Sequence, residues 1–226
     1  MKWLRILLLL PCMTLQAQET AGGDPLLAQQ RLAAVLRQAT TEYDRGNFQD
    51  ALARLDSLGG AGANDISVLN LRAAALTKLG QHAQAFGLFQ EILKANPNYF
   101  PAAFNAGEVQ FLAGDREGAL ETFRSLRQRD PRNELLRFKV FLCQFVLGRH
   151  EEAAKTAKAM QPAGSTPSWY YAHSLMSRQA GDEAKARENL QAARNTKTVW
   201  SPRAAWLWPF WPLPRGGREQ TGREKL

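Results

Sequence analysis

The stretch LGQHAQAFGLFQEILKANP, residues 79–97, sets a glycine, a small residue and a proline at fixed offsets: Gly80, Ala85 and Pro97. A glycine can take a left-handed backbone at little steric cost, which ends one helix and turns the chain. A second helix then starts two or three residues later. Ala85 lies on it where two helix backbones come closest, so only a small side chain fits. Phe89 and Ile92 follow Ala85 at i+4 and i+7 and extend the same apolar face. Pro97 stops the second helix. The stretch is one part of a helical hairpin.

The pattern recurs. Gly46, Gly80, Gly114, Gly148 and Gly181 follow one another at a constant step, shortened by a single position at the last. Each is followed five residues later by an alanine: Ala51, Ala85, Ala119, Ala153 and Ala186. Leu55 and Leu58, Phe123 and Leu126, and Leu190 repeat the apolar face, and Pro131 repeats the stop. Self-similarity at a period of about 34 residues is the signature of a helical repeat architecture. Composition agrees. Alanine and leucine are abundant and valine and isoleucine sparse, which favours helix over sheet. The 226 residues are 45% apolar, enough for a sizeable core.

On YDRGNFQDALARLDSL, LTKLGQHAQAFGLFQEILKANP, FLAGDREGALETFRSLRQRDP, FVLGRHEEAAKTAKAM and RQAGDEAKARENLQAA, the chain resembles the tetratricopeptide repeat family. The resemblance covers roughly residues 30 to 198. It implies an all-α, right-handed superhelical solenoid of about five helix–turn–helix units. The units are expected near residues 32–65, 66–99, 100–133, 134–166 and 167–198, within a domain from 25 to 198. Asp24 and Pro25 supply a cap and a first helical position, so the first helix is expected to run from Pro25 to Arg45. Asp65 is expected to cap a helix from Ile66, and Thr166 or Ser165 one from Pro167. Phe141 is large where the family usually has Gly or Ala.

The resemblance also implies that first helices line a concave groove that holds an extended or helical peptide. Phasing from the glycines puts Asn70, Leu71, Ala74 and Thr77 of unit two there, with Phe104, Asn105, Glu108 and Phe111 of unit three. Unit four adds Phe138, Lys139, Leu142 and Phe145, and unit five Tyr171, Leu175 and Arg178. This lining reads as unusually apolar, suited to an apolar helix or a Pro/Trp-rich strand of a protein partner. Family members that grip a C-terminal carboxylate use a set of Lys, Arg and Asn. Only Asn105 and Lys139 match here, which disfavours such a clamp. The alternative, that several of these phenylalanines pack between units, stays open, because core aromatics are common at helical spacing.

Both ends differ from the repeats. Lys2 and Arg5 precede ILLLLPCMTL, an apolar run of about 10 residues, the length of a signal-peptide core and too short to span a bilayer. Residues 1–17 read as a signal peptide cleaved near Ala17, with export to the periplasm or cell envelope of a bacterium. Pro11 before Cys12 argues against lipid attachment. Cleavage leaves Cys143 alone, without a disulfide partner and in an apolar stretch. After Thr198 the composition shifts: Trp200, Trp206, Trp208 and Trp211, four of the six tryptophans, crowd one short segment. Three readings of residues 199–214 compete: a cover for the solenoid end or groove, a membrane-interface dock, and a motif for a protein partner. Trp206, Trp208 and Trp211 would gate or supplement the groove. Residues 215–226 read as a flexible basic tail.

No phosphate loop, GxGxxG, HExxH or paired CxxC is present. His82 and His150 share one phase, two residues after a turn glycine, which reads as packing. Two repeats, about 20 Å, separate them, beyond shared coordination at about 2 Å. His173 reads as a core residue, and Glu151 and Glu152 as a solvated face. No metal, no cofactor and no catalysis are expected. The formal charge of +8 allows contact with an anionic surface. Its cations are dispersed among Glu and Asp, as in RENLQAARNTK, so no nucleic-acid platform is expected. The expected role is a non-enzymatic protein–protein interaction scaffold. The alternative is a membrane-peripheral assembly factor anchored by the Trp/Arg segment. The sequence assigns no oligomeric state.

Overall fold

A computed structural model describes residues 24–160 and 166–196. The signal-peptide reading through Ala17, the cap role of Ser165 and the docking roles of Trp206, Trp208 and Trp211 lie outside the described residues. Among the described residues ten α-helices form five hairpins, with no strand. They are α1 (Pro25–Arg45) with α2 (Phe48–Asp56), α3 (Ile66–Lys78) with α4 (His82–Ala95), and α5 (Phe100–Leu112) with α6 (Arg116–Arg129). Then come α7 (Glu134–Val146) with α8 (His150–Lys158), and α9 (Pro167–Gln179) with α10 (Glu183–Asn195). Each helix packs on its hairpin partner and on the next helix in the chain, the arrangement of a helical repeat solenoid.

The turns follow from backbone sterics. Gly46, Gly80, Gly114, Gly148 and Gly181 have φ between 75° and 92°, a left-handed conformation costly to any residue with a Cβ. At four of these turns the next N–H reaches back five residues, as Asn47 to the Glu42 carbonyl at 2.9 Å and Gln81 to Leu76 at 2.9 Å. Those bonds satisfy carbonyls that the ending helix leaves open. The five alanines that follow are each no more than 1% exposed, at the hairpin crossings. Asp24 and Asp65 accept from Leu26 N and Ser67 N and so fix the starts of α1 and α3. Thr166 makes no cap bond at α9: its hydroxyl is buried without a partner among the described residues.

The core runs through neighbouring units. Phe89 and Ile92 of α4 pack with Ala102, Ala106 and Val109 of α5. Phe123 and Leu126 of α6 pack with Leu136 and Val140 of α7. Position by position, the hairpins trade volume. In unit three Gly107 of α5 faces Phe123 of α6, and a Cβ on Gly107 would lie 2.9 Å from that ring. In unit four the same two places hold Phe141 and Ala157, both buried in one cluster. The large residue on the first helix is therefore offset by a small one on the second, which keeps the interior filled. Two second helices, α2 and α8, have only nine residues against 13 or 14 for the others. Helix α2 ends at Asp56 with Ser57 as its cap, and Gly59 leads into a 3-10 turn at Gly60–Asn64.

Candidate functional site

The first helices α3, α5, α7 and α9 carry every residue phased to the inner wall. The structure divides these residues in a way the sequence does not. Phe104 and Phe138 are 3% and 1% exposed. They belong to the core between units, which corrects the expectation that they line the groove. Phe104 sits 5.5 Å from Phe123 and Phe138 5.9 Å from Phe141, between ring centroids. Both rings turn inward because α6 and α8 lie behind them and burial of an aromatic ring is strongly favourable.

Glu108 and Lys139 are also buried, as an ion pair at 2.7 Å that joins α5 to α7. The Lys139 ammonium stands 6.0 Å from the centre of the Phe104 ring. Burial pushes the Glu108 carboxyl up, and Lys139 opposes that shift. Lys78 of α3 is lowered by burial, with Glu108 drawing it up and Lys139 pushing it down. The three charges thus form one cluster across three consecutive units. Asn105 donates to the Asn70 side chain at 3.4 Å, a second polar link, between α3 and α5. Asn105 and Lys139, the two residues matching a carboxylate clamp, are therefore engaged within the fold.

The other groove positions keep accessible surface. Phe111, Phe145 and Tyr171 are half-buried, and Arg178 is exposed, 3.4 Å from Glu183. Phe145 lies 5.7 Å from Phe141 and edge-on to His150 at 5.3 Å. Val146, not anticipated, is 44% exposed two residues before its turn glycine. Along the first helices the phased positions therefore have a polar part at units two to four and a partly exposed apolar part at units four and five. The latter is built from Leu142, Phe145, Val146, Tyr171 and Leu175.

The hydrogen-bonded pairs inside units three and four were also not anticipated. Thr122 donates to Gln110 at 2.8 Å and Thr156 to Gln144 at 2.7 Å, each tying the two helices of a hairpin. Their signal was present: the two glutamines, and the two threonines, stand one repeat apart. On the outer side Arg124–Glu152 at 2.8 Å and Arg149–Glu117 at 2.6 Å join α6 to the next unit. His173 contacts the Trp169 carbonyl at 2.9 Å and stacks on its indole. Among the described residues no three His, Cys, Asp or Glu side chains are grouped to hold a metal ion. Burial pushes the Cys143 thiol up to about 12.

Comparison with known proteins agrees with this geometry. Tetratricopeptide repeat family models match residues 36–100 and 76–139. The chain is a tetratricopeptide repeat protein. It is 30% identical over 119 residues to cellulose synthase 2 operon protein C of Komagataeibacter xylinus, 52% of this chain and 8% of that protein. It is 34% identical over 76 residues to human superkiller complex protein 3, 34% of this chain and 5% of the other. The match thus spans a small part of either relative. Among solved structures, a thermophilic tetratricopeptide repeat protein of Thermus thermophilus aligns with a TM-score of 0.62 and 19% identity. That alignment covers 77% of this chain and 96% of the other. MamA of Desulfovibrio magneticus RS-1 aligns at 0.57 and 19%, over 73% and 93%. At such identity these two likenesses speak for the fold. The repeats themselves support a protein–protein interaction scaffold.

Proposed function

We propose that the chain is a non-enzymatic scaffold of the bacterial cell envelope that receives a peptide or helix of a protein partner on its inner wall. One observation carries this reading. Phe145, Val146 and Tyr171 keep accessible apolar surface on first helices, although nearby Phe104 and Phe138 are buried. Exposed apolar surface on a rigid concave wall is what an apolar helix or extended segment needs. Asn70, Asn105 and the Glu108–Lys139 pair hold the wall in shape at its polar end. Arg178 and Phe111 border the apolar part. Location in the envelope follows from the signal-peptide reading of residues 1–17. A second reading, a membrane-peripheral assembly factor, draws on Trp206, Trp208 and Trp211.

A photoreactive residue at position 146 tests the proposal. It should capture a discrete envelope protein, and the same capture should fail when Phe145 is changed to Ser. Equal capture from a photoreactive residue at Glu91, on the outer side, would defeat the groove reading.

A further inference from the structure

The described residues that follow α4, α6 and α8 gather on one edge of the solenoid. Arg129 donates to Asn98 at 2.9 Å, joining the connection after α6 to that after α4. Arg137 donates to the carbonyls of Pro131 at 3.0 Å and Ala159 at 2.8 Å, joining the next two. This loop edge is basic. Lys94, Arg127, Arg129, Lys158 and Arg194 occupy the last turns of second helices, and Arg132 the connection beyond α6. None of the six pairs with a carboxylate among the described residues. The acids on the same edge are engaged. Asp24 and Asp65 cap helices, Asp130 accepts from Asn133, and Glu134 pairs with Arg137. The opposite, turn edge carries the acidic first turns, with Asp50, Glu117, Glu151 and Glu183.

Helix dipoles account for one cation at each C-terminus. They do not account for Arg132, for two arginines ending α6, or for the apolar residues found on the same edge. Helix α1 has 21 residues, whereas α3, α5, α7 and α9 have 13 each. All five end one or two residues before a turn glycine, so nearly all of the excess lies at the start of α1. About two extra turns project α1 about 10 Å past the loop edge. Leu26 and Leu27 on that projection are 59% and 61% exposed, and Phe100, at the start of α5, is 38% exposed. Among the described residues, three of the four exposed large hydrophobic side chains thus share one edge with the unpaired cations.

We propose that this loop edge docks the protein on an anionic lipid surface, with Leu26, Leu27 and Phe100 in the headgroup layer and the six cations against acidic headgroups. The combination singles out lipid. A nucleic acid or an acidic protein surface uses the cations but leaves protruding leucines in water, whereas a bilayer interface takes both. Helix α10 ends on the same edge. Docked this way, the helices stand end-on to the bilayer and the inner wall stays open from the side. The inference therefore does not depend on the groove reading.

The test is vesicle co-sedimentation of the full chain at low salt. Vesicles of phosphatidylcholine with about 30 mol% phosphatidylglycerol are compared with phosphatidylcholine alone. The chain should prefer the anionic vesicles, and the edge variants below separate this edge from the basic, apolar residues 1–17. The triple variant Arg129→Gln, Arg132→Gln, Lys158→Gln should partition about 100-fold less, at about fivefold per cation. Leu26→Ser with Leu27→Ser should lower binding at least about tenfold. Arg45→Gln, on the turn edge, should leave it unchanged. Circular dichroism should be the same for all variants. The proposal is overturned by unchanged binding of the triple variant, by equal binding to neutral vesicles, or by tighter binding to duplex DNA than to anionic vesicles at the same salt. Loss of all anionic-vesicle binding on changing Trp206, Trp208 and Trp211 to Ser, with the edge variants unaffected, also overturns it and assigns the contact to the tail.

Discussion

Changing Phe141 to Ala should remove a fully buried ring from the cluster it shares with Phe138, Ala153, Ala157 and Ala172. Three of its buried neighbours there are alanines, which cannot swing in to refill the space. The cost should therefore fall in the usual range for a buried Phe→Ala change, about 3–5 kcal/mol. Ala157→Phe alone should overpack the same space and cost about 1–3 kcal/mol. The double variant recreates in unit four the small–large order that Gly107 and Phe123 have in unit three. It should recover much of the loss, so the two changes should couple by about 2 kcal/mol or more in a double-mutant cycle. Urea unfolding followed by circular dichroism measures all four proteins. With slopes of about 1–3 kcal/mol per molar, the Phe141→Ala midpoint should drop by more than about 1 M. Simple additivity of the two single changes would refute the reasoning, because it would mean that the two positions do not share one volume.

Lys139→Met should destabilise by about 3–5 kcal/mol, since it leaves the Glu108 carboxylate buried without its partner, while Lys139→Met with Glu108→Gln should cost much less. Chemical unfolding of both variants checks this. Cys143 should react with a disulfide reagent at pH 8 only as fast as unit four opens, because a thiol near 12 is about one part in 10,000 thiolate there. The same shift has a sign. Only the unfolded thiol ionises above about pH 8.5, so stability falls as pH rises from there towards 12, by about 2 kcal/mol at pH 10. Cys143→Ala should abolish that component of the pH dependence. Gly80→Ala should cost about 1–2 kcal/mol at φ 77°, whereas Gly87→Ala, with open space around its missing Cβ and a place inside α4, should stabilise by up to about 1 kcal/mol. Thermal melts of the two variants should move in opposite directions.

The repeat was legible because its demands are local. A left-handed turn admits glycine at little cost, and a close helix crossing admits alanine, so both recur at every unit whatever surrounds them. The extent of α1 was equally legible from Asp24, Pro25 and Gly46. The site was less so. Phase puts Phe104, Phe138 and Tyr171 at one equivalent position, yet the first two are buried and Tyr171 is only half-buried. The difference lies in what stands beside each residue: another first helix follows α5 and α7, and none is described after α9. Glu108 and Lys139 carry no sequence signal as a pair, because they belong to different units and meet only once those units stack.

From the sequence alone came the helical period, the turns, the small residues at the crossings and the family, all set by backbone sterics that act within one hairpin. Tertiary structure decided which phased aromatics are core and which are wall, that Phe141 is matched by Ala157, and that cations and protruding leucines share one edge. Those outcomes depend on neighbours in other helices, often a whole repeat away in the chain, brought within contact distance only by stacking one hairpin on the next.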